Sequence, residues 1–239
     1  MDLNNYITFD GVTSSSLSTY ISGEGSFNAP DRVYDMQTIP GRNGALAIDE
    51  GRFENIDITY PAFIFTNSGT DFETKLAALR NEILSRKGYK RLSDTYHPDE
   101  FRLAIYKSGL EVSPKDINRA GQFNLVFDCK PQRFLTSGET VVTKTASGYI
   151  TNPTNFDAKP LLVVTGTGTL TVDGVAIAIT ATPTTIDCEA MEAYNGTTSR
   201  NSQITLTPNR FPVLSPGRNN ITLTSGISKV EITPRWWRV

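Results

Sequence analysis

The second half of the sequence is a succession of short β-type runs separated by turn residues. LLVVT, TLTVD and VAIAI have the length and composition of strands, and the last two flank the pair Asp173-Gly174. Such a pair between alternating apolar runs is typical of a two-residue hairpin, because both central residues of a type I′ turn need positive φ. TTIDCE, QITLT, NITLT and SKVEIT continue the series at intervals typical of a sandwich. This half is therefore predicted to form a β-sandwich of roughly seven to nine strands.

The distribution of charge divides the chain into two parts. Residues 1 to 150 hold 16 basic and 19 acidic side chains, whereas residues 151 to 239 hold 7 and 6. With 239 residues, the chain is long enough for two domains that each bury a core. We therefore expect two domains that differ in composition.

The segment TDFETKLAALRNEILSRKG shows clear helical periodicity. Its apolar residues share one face at positions i, i+4, i+7 and i+11: Phe72, Leu76, Leu79 and Ile83. Thr70 and Glu73 fit a capping box, and Gly88 supplies a stop. The strand-like segments around the helix are FENIDITYPAFIF, YKRLSDTY, FRLAIY and QFNLVFDCKP. The predicted fold class is therefore mainly β (a β-rich α+β chain), beginning with a β-sandwich-like domain that one α-helix covers.

Composition argues against several classes of partner. The formal net charge is -2, and the densest basic cluster, Arg86, Lys87, Lys90 and Arg91, follows the helix, where cations complement its dipole. We therefore expect no nucleic-acid site. The sequence holds no apolar run of membrane-spanning length and no secretory signal at its start, so no membrane is expected either. Cys129 and Cys188 are predicted to be small buried residues of a chain made in a reducing cytoplasm.

The candidates for catalysis are weak, and we expect no enzyme activity, metal or cofactor. His97 is the sole histidine, so zinc sites with two imidazoles are excluded, although a dyad of His97 with Cys129 or a serine stays open. A histidine before proline is more typical of a solvated connector. Carboxylate pairs suited to a glycosidase also occur, but such pairs arise by chance among 25 acidic residues: Asp99 with Glu100, and Glu189 with Glu192.

Four residues are candidates for assembly or partner contacts. In PGRNG, the pair Asn43-Gly44 predicts a tight hairpin turn from which Arg42 projects, either as a contact residue or simply solvated. Trp236 and Trp237 are adjacent, and adjacent strand residues face opposite sides, so one indole is expected in the core and the other outside. An exposed indole would stack on a sugar or anchor a protein, and the alternative is that loops bury both.

The order of several segments resembles the distal tail protein (Dit) family of long-tailed, siphovirus-type bacteriophages. PGRNGALAIDEGRFENIDITY, a helix, YKRLSDTYHPDEFRLAIY and GQFNLVFDCKPQRFL resemble the N-terminal domain of that family. FPVLSPGRNNITL and the closing PRWW resemble its C-terminal domain. The resemblance implies an N-terminal tail-ring domain over residues 1–138 and a galectin-like β-sandwich over residues 139–239, with the boundary near Gly138. It also implies a member without an inserted carbohydrate-binding module, because the chain is too short to hold one.

The resemblance implies a structural hub at the distal end of the virion tail, made in the host bacterial cytoplasm. Six copies would form a homo-hexameric ring around the DNA exit channel, with DNA only in transit. The implied partners are the major tail (tube) protein, the tape measure protein, the tail-associated lysin or tail-tip hub, and baseplate or receptor-binding proteins. As a hypothesis, the acidic excess of the first half keeps the channel from retaining DNA.

Two other classes of function stay open at this point. The first alternative is a carbohydrate-binding module that attaches to host cell-wall glycans, with Trp236 or Trp237 as its stacking platform. The second is a cell-wall hydrolase, for which no active site is identifiable in the sequence.

Overall fold

The computed structural model describes residues 5–115 and 119–239. The chain divides into two compact units, of which the first ends at Arg133 and the second is Phe134–Arg238. The first unit contains α1 (Gly69–Leu84) and the strands β1 (Ile7–Phe9), β2 (Val12–Thr13), β3 (Thr19–Ile21), β4 (Arg32–Thr38), β5 (Ala45–Phe53), β6 (Ile56–Phe65), β7 (Lys90–Asp94), β8 (Glu100–Tyr106), β9 (Ser113–Lys115) and β10 (Ala120–Cys129).

The second unit begins within β11 and holds the remaining strands: β11 (Arg133–Leu135), β12 (Val142–Lys144), β13 (Gly148–Asn152), β14 (Leu161–Gly166), β15 (Gly168–Val172), β16 (Val175–Ile179), β17 (Thr184–Asp187), β18 (Glu192–Asn195), β19 (Thr198–Ser199), β20 (Ile204–Thr207), β21 (Gly217–Leu223), β22 (Ile227–Thr233) and β23 (Trp237–Arg238). The mainly β fold class that the sequence predicts is confirmed.

The sheet of the first unit has the order β2-β1-β7-β8-β10-β6-β3, and β9 also pairs with β10. β6 and β10 run antiparallel from the pair Phe65 and Ala120 to the pair Ile56 and Cys129. Alternate residues of β10 are buried because strand side chains point to opposite faces of a sheet. The alternation of the sequence therefore locates this sheet correctly.

Helix α1 covers the core of this sheet with its predicted apolar face. The four buried residues of the helix are the predicted ones: Phe72, Leu76, Leu79 and Ile83. The predicted capping box is wrong, because the N-cap is Ser68, whose hydroxyl accepts a hydrogen bond from the Asp71 amide at 3.2 Å. Thr70 already lies inside the first turn, whereas Ser68 has the extended backbone of a cap.

The second unit consists mainly of two sheets, with the orders β12-β22-β14-β17-β18-β19 and β13-β21-β15-β16-β20. The predicted hairpin is confirmed: Val172 pairs with Val175, and Asp173 and Gly174 have φ of 45° and 83°. Fully buried aliphatic residues of both sheets, among them Leu162, Leu170 and Ile177, contribute to one core cluster. The two sheets hold more strands than predicted, because several runs of only two to four residues also pair.

A charged pair fixes the end of the second unit. Arg235, which follows β22, donates two hydrogen bonds to the carboxylate of Asp187, at 2.7 and 2.9 Å. These bonds lower the pKa of Asp187 below its ordinary value and raise the pKa of Arg235. The backbone amides of Glu189 and Ala190 also donate to Asp187. A carboxylate held in this way ties the turn after β17 to the C-terminal segment.

Both cysteines are free and buried. Burial raises the pKa of the Cys129 thiol and of the Cys188 thiol to about 12. At neutral pH both therefore stay protonated, and they behave as small apolar residues, as the sequence predicts.

Candidate assembly surface

Strands β4 and β5 form a two-stranded sheet of their own in the described chain. Every residue from 34 to 52 is exposed. We call residues 32–53 the arm. A two-stranded ribbon without a third strand or a covering helix has little independent stability, so a surface of this kind is typical of a contact with another chain.

The turn of the arm differs in detail from its prediction. The last strand pair is Thr38 with Ala45, so six residues form the connection instead of the tight Asn43-Gly44 turn. The Arg42 amide donates to the Ile39 carbonyl at 3.1 Å, and Gly41 between them has φ of 79°. Proline followed by a glycine with positive φ is typical of a type II turn. Arg42 is exposed at the tip, as predicted, and Asn43 beside it is exposed too.

Apolar side chains occupy both faces of the arm. Paired residues of a ladder share a face, so the pairs Tyr34 with Asp49 and Met36 with Ala47 place Tyr34 and Met36 on one face. Leu46 and Ile48 pair with Gln37 and Asp35 and lie on the other face. These four side chains are between 44% and 59% exposed. None of the four is among the predicted contact residues, although apolar residues at consecutive positions of a strand indicate a strand covered on both sides.

Ion pairs hold the base of the arm together. The Arg32 guanidinium pairs with the carboxylate of Asp49 across the two strands, and its Nε lies 3.0 Å from Oδ2. On β5 and just after it, Arg52 pairs with Glu50 at 2.9 Å and with Glu54 at 3.2 Å. All these groups are exposed, so they orient the strands more than they stabilise the fold.

A groove of about 670 Å³ lies beside β10 in the first unit. β10 pairs with β9 through Ala120–Gln122 and with β8 through Phe127–Cys129, and among the described residues no strand pairs with 123–126 on this edge. We call this site the β10 groove. Ser22 and Pro61 line one side of it, and Glu111, from the segment between β8 and β9, lines the other.

The gap in the ladder leaves backbone hydrogen-bonding groups of β10 without a strand partner among the described residues. Lys130, just after β10, donates its amide to the Leu103 carbonyl of β8 at 2.8 Å. Successive residues of a strand direct these groups to opposite edges, so residues an even number of positions apart share an edge. The backbone groups of Asn124 and Val126 therefore face the same edge as the Lys130 amide, which is the edge where the ladder has its gap. Such an edge accepts an extended segment from another chain.

The two tryptophans occupy different environments in the second unit. Trp236 is buried, at 5% exposure. Trp237 is half-buried, and its ring stacks on Phe156 with centroids 4.4 Å apart. The Trp237 indole N–H donates to the Asp157 carbonyl at 2.9 Å. One face and the polar edge of the more exposed indole are therefore already engaged within the chain.

The other titratable candidates lie in structural contacts. The His97 ring is 3.1 Å from the Asp94 carboxylate, which also accepts a hydrogen bond from Tyr60 at 2.7 Å. The cavity beside them is about 20 Å³, the space of a single water. The Cys129 thiol donates instead to the Phe127 carbonyl.

One carboxylate of each predicted acidic pair forms an ion pair with a basic residue outside the pair. Glu100 is buried and pairs with Arg133 at 2.7 Å, whereas Glu189 is exposed and pairs with Lys159 at 3.1 Å. Within residues 5–115 and 119–239, no three His, Cys, Asp or Glu side chains are grouped so that they hold a metal ion. Over the same residues, no helix has both the length and the apolar character needed to cross a membrane.

Two comparisons find similarity between this chain and proteins of phage tails. Residues 12–129 match the family model described as phage tail protein RIFT-related domain. No curated protein sequence matches the chain.

The fold is similar to that of the Dit protein of phage SPP1, described as a paradigm of the hub adsorption apparatus in phages that infect Gram-positive bacteria. The TM-score is 0.75 and the identity 14%, and the likeness covers 98% of this chain and 99% of that one. Chains from the baseplate of phage p2 in its activated conformation, with Ca or with Sr, are also similar. For both, the TM-score is 0.54, the identity is 11%, and the likeness covers 95% of this chain and 96% of the other.

Proposed function

We propose that this chain, whose residues 12–129 match the family model of phage tail protein RIFT-related domains and whose fold is similar to that of a distal tail protein, is the structural hub of a phage tail tip. The observation that carries the proposal is the extent of the likeness to a hub protein, which includes both units and nearly the whole of both chains. A likeness limited to one sandwich would be poor evidence, since β-sandwiches serve many functions.

The hub is a homo-hexameric ring around the DNA exit channel. It links the major tail protein and the tape measure protein to the tail-associated lysin or tail-tip hub and to baseplate or receptor-binding proteins. The arm supports self-assembly, because it exposes apolar side chains on both faces and unpaired strand edges. A ring of identical subunits needs two different surfaces that fit each other, and the first unit offers two: the arm and the β10 groove.

The role is structural rather than catalytic. In the described parts of the chain, His97, Glu100 and Glu189 lie in separate contacts with Asp94, Arg133 and Lys159. The domain assignment of residues 1–138 and 139–239 and the contact roles of Arg42, Asn43, Trp236 and Trp237 stay part of the proposal. Carbohydrate binding stays the alternative function, and the stacking of Trp237 on Phe156 does not favour it.

Purified full-length chain tests the proposal directly. Light scattering coupled to size-exclusion chromatography is expected to give six times the chain mass, either alone or after addition of tail partners. Negative-stain microscopy is expected to show rings with a central hole. A chain that stays monomeric at high concentration with tail proteins present would overturn the ring, and release of soluble fragments from cell-wall material would overturn the non-catalytic role.

A further inference from the structure

The arm and the β10 groove carry matching features. Between Met36 and Ile48 the sequence holds a single charged residue, Arg42, at the tip of the arm. Among the described residues that line the β10 groove, the single charged one is Glu111. Each of these two sets of residues therefore contains one charged side chain, and the two charges have opposite signs. This arrangement favours one register of contact, since a mismatched register leaves both charges without a partner.

The remaining chemistry of the two surfaces also fits. The tip of the arm, residues 39–46, includes Ile39 and Leu46, whose side chains are 37% and 44% exposed. In the described chain, no third strand pairs with the backbone edges of the arm. The β10 groove offers the apolar side chains of Pro61 and Val126 together with polar groups and a gap in the strand ladder. A groove of this mixed character suits a polypeptide segment, which presents side chains and backbone hydrogen-bonding groups together.

The arm of the same chain does not fill the groove. Arg42 and Glu111 are both exposed, and so is every residue of the arm from 34 to 52. The two surfaces differ from each other, so a contact between them is head to tail, the type of contact that generates rings when the rotation closes.

We propose that the tip of the arm of one copy docks in the β10 groove of the next copy, with Arg42 paired to Glu111. This inference rests on the proposed hub function and names the contact that joins its subunits. It assigns Arg42 the role of a specificity residue. The extended flanks of the tip add backbone hydrogen bonds at Asn124 and Val126.

Charge reversal in the full-length chain tests the docking. Arg42→Glu places two carboxylates together in every contact, and Glu111→Arg places two guanidinium groups together. Each variant alone is expected to raise the concentration needed for half-assembly by at least about tenfold, since like charges at an interface are strongly unfavourable. The measurement is the weight-average mass by analytical ultracentrifugation over a concentration series.

Mixing the two variants separates docking from misfolding. In an equimolar mixture, an arm with glutamate meets a groove with arginine, and the unchanged arm meets the unchanged groove, so an alternating ring is expected to form. The combined variant Arg42→Glu with Glu111→Arg is expected to assemble alone. Arg80→Glu and Glu73→Arg reverse exposed charges on α1 outside both surfaces and serve as controls.

The outcomes distinguish the two proposals. If the wild-type chain forms rings and both single variants form them equally well, the docking is overturned and the hub stands. If the single variants fail and neither the mixture nor the combined variant recovers, the pairing of Arg42 with Glu111 is overturned. A wild-type chain that never assembles overturns both the docking and the ring.

Discussion

Replacement of Met36 and Ile48 by threonine tests whether the arm holds neighbouring subunits together. The two side chains lie on opposite faces of the arm, because Met36 pairs with Ala47 and Ile48 pairs with Asp35. Threonine is β-branched, a shape that strands favour, so the ribbon itself is retained. The double variant removes apolar surface from both faces without a change in charge.

The size of the effect follows from the exposure of the two side chains. Met36 is 59% exposed and Ile48 is 47% exposed. Full burial of such a side chain contributes about 1.5–3 kcal/mol, so burial of the remaining half contributes about 1 kcal/mol for each residue. In the proposed ring, the two side chains together would contribute about 2 kcal/mol to each contact, which corresponds to roughly a thirtyfold change in the dissociation constant.

Sedimentation measures the assembly, and differential scanning calorimetry measures the stability of the chain. We expect the midpoint of assembly to shift to higher concentration, whereas the free energy of unfolding of the unassembled chain changes by no more than about 0.5 kcal/mol, as for other surface substitutions. Leu84→Gln, at a residue 56% exposed at the end of α1, is the matched control. An unchanged midpoint, or an equal shift in the control, would refute the role of the arm.

Three further predictions concern the two units themselves. Leu79→Ala removes a helix side chain that is 1% exposed, and we expect it to lower the free energy of unfolding by about 3 kcal/mol in urea titrations followed by circular dichroism. Arg235→Met removes two hydrogen bonds to Asp187, and we expect a loss of about 2 kcal/mol at neutral pH. Because the pKa of Asp187 is lowered in the folded state, this stabilisation is present above the ordinary carboxyl range and disappears as the pH falls through the folded-state pKa, so the difference between the variant and the wild type should vanish in acid. Both cysteine thiols should resist Ellman's reagent at pH 8 in the folded chain and react in urea, because burial raises their pKa to about 12; rapid labelling of the folded chain would contradict the burial.

Features set by neighbouring residues were predictable from the sequence. The apolar face of α1 follows from helical spacing alone, and the turn at Asp173-Gly174 follows from the backbone freedom of those two residues. The N-cap was not predictable, because Ser68 and Thr70 are both good caps locally. The choice between them depends on where β6 ends and on how the first turn packs.

Features set by long-range pairing were beyond local reasoning. The predicted turn of the arm relied on Asn43-Gly44, but the strand pairs end earlier and Pro40-Gly41 makes the turn. The β10 groove exists because β8 and β9 pair with separate parts of β10, which no pattern within β10 reveals. Adjacent tryptophans predicted one buried indole, but the stacking of Trp237 on Phe156 depends on a loop distant in sequence.

The isolation of the arm in a two-stranded sheet would affect the kinetics with which the proposed ring forms. An isolated two-stranded ribbon has marginal stability in water, because ordering its residues costs conformational entropy that few contacts offset. When two chains first meet, ordering the arm costs conformational entropy before other contacts have formed to offset it. This cost creates a nucleation barrier. The last subunit of a ring gains two contacts at once, so closure is strongly favoured over partial arcs. Unassembled chains would then accumulate until a binding partner that orders the arm lowers the nucleation barrier. Rings would form rapidly from that point.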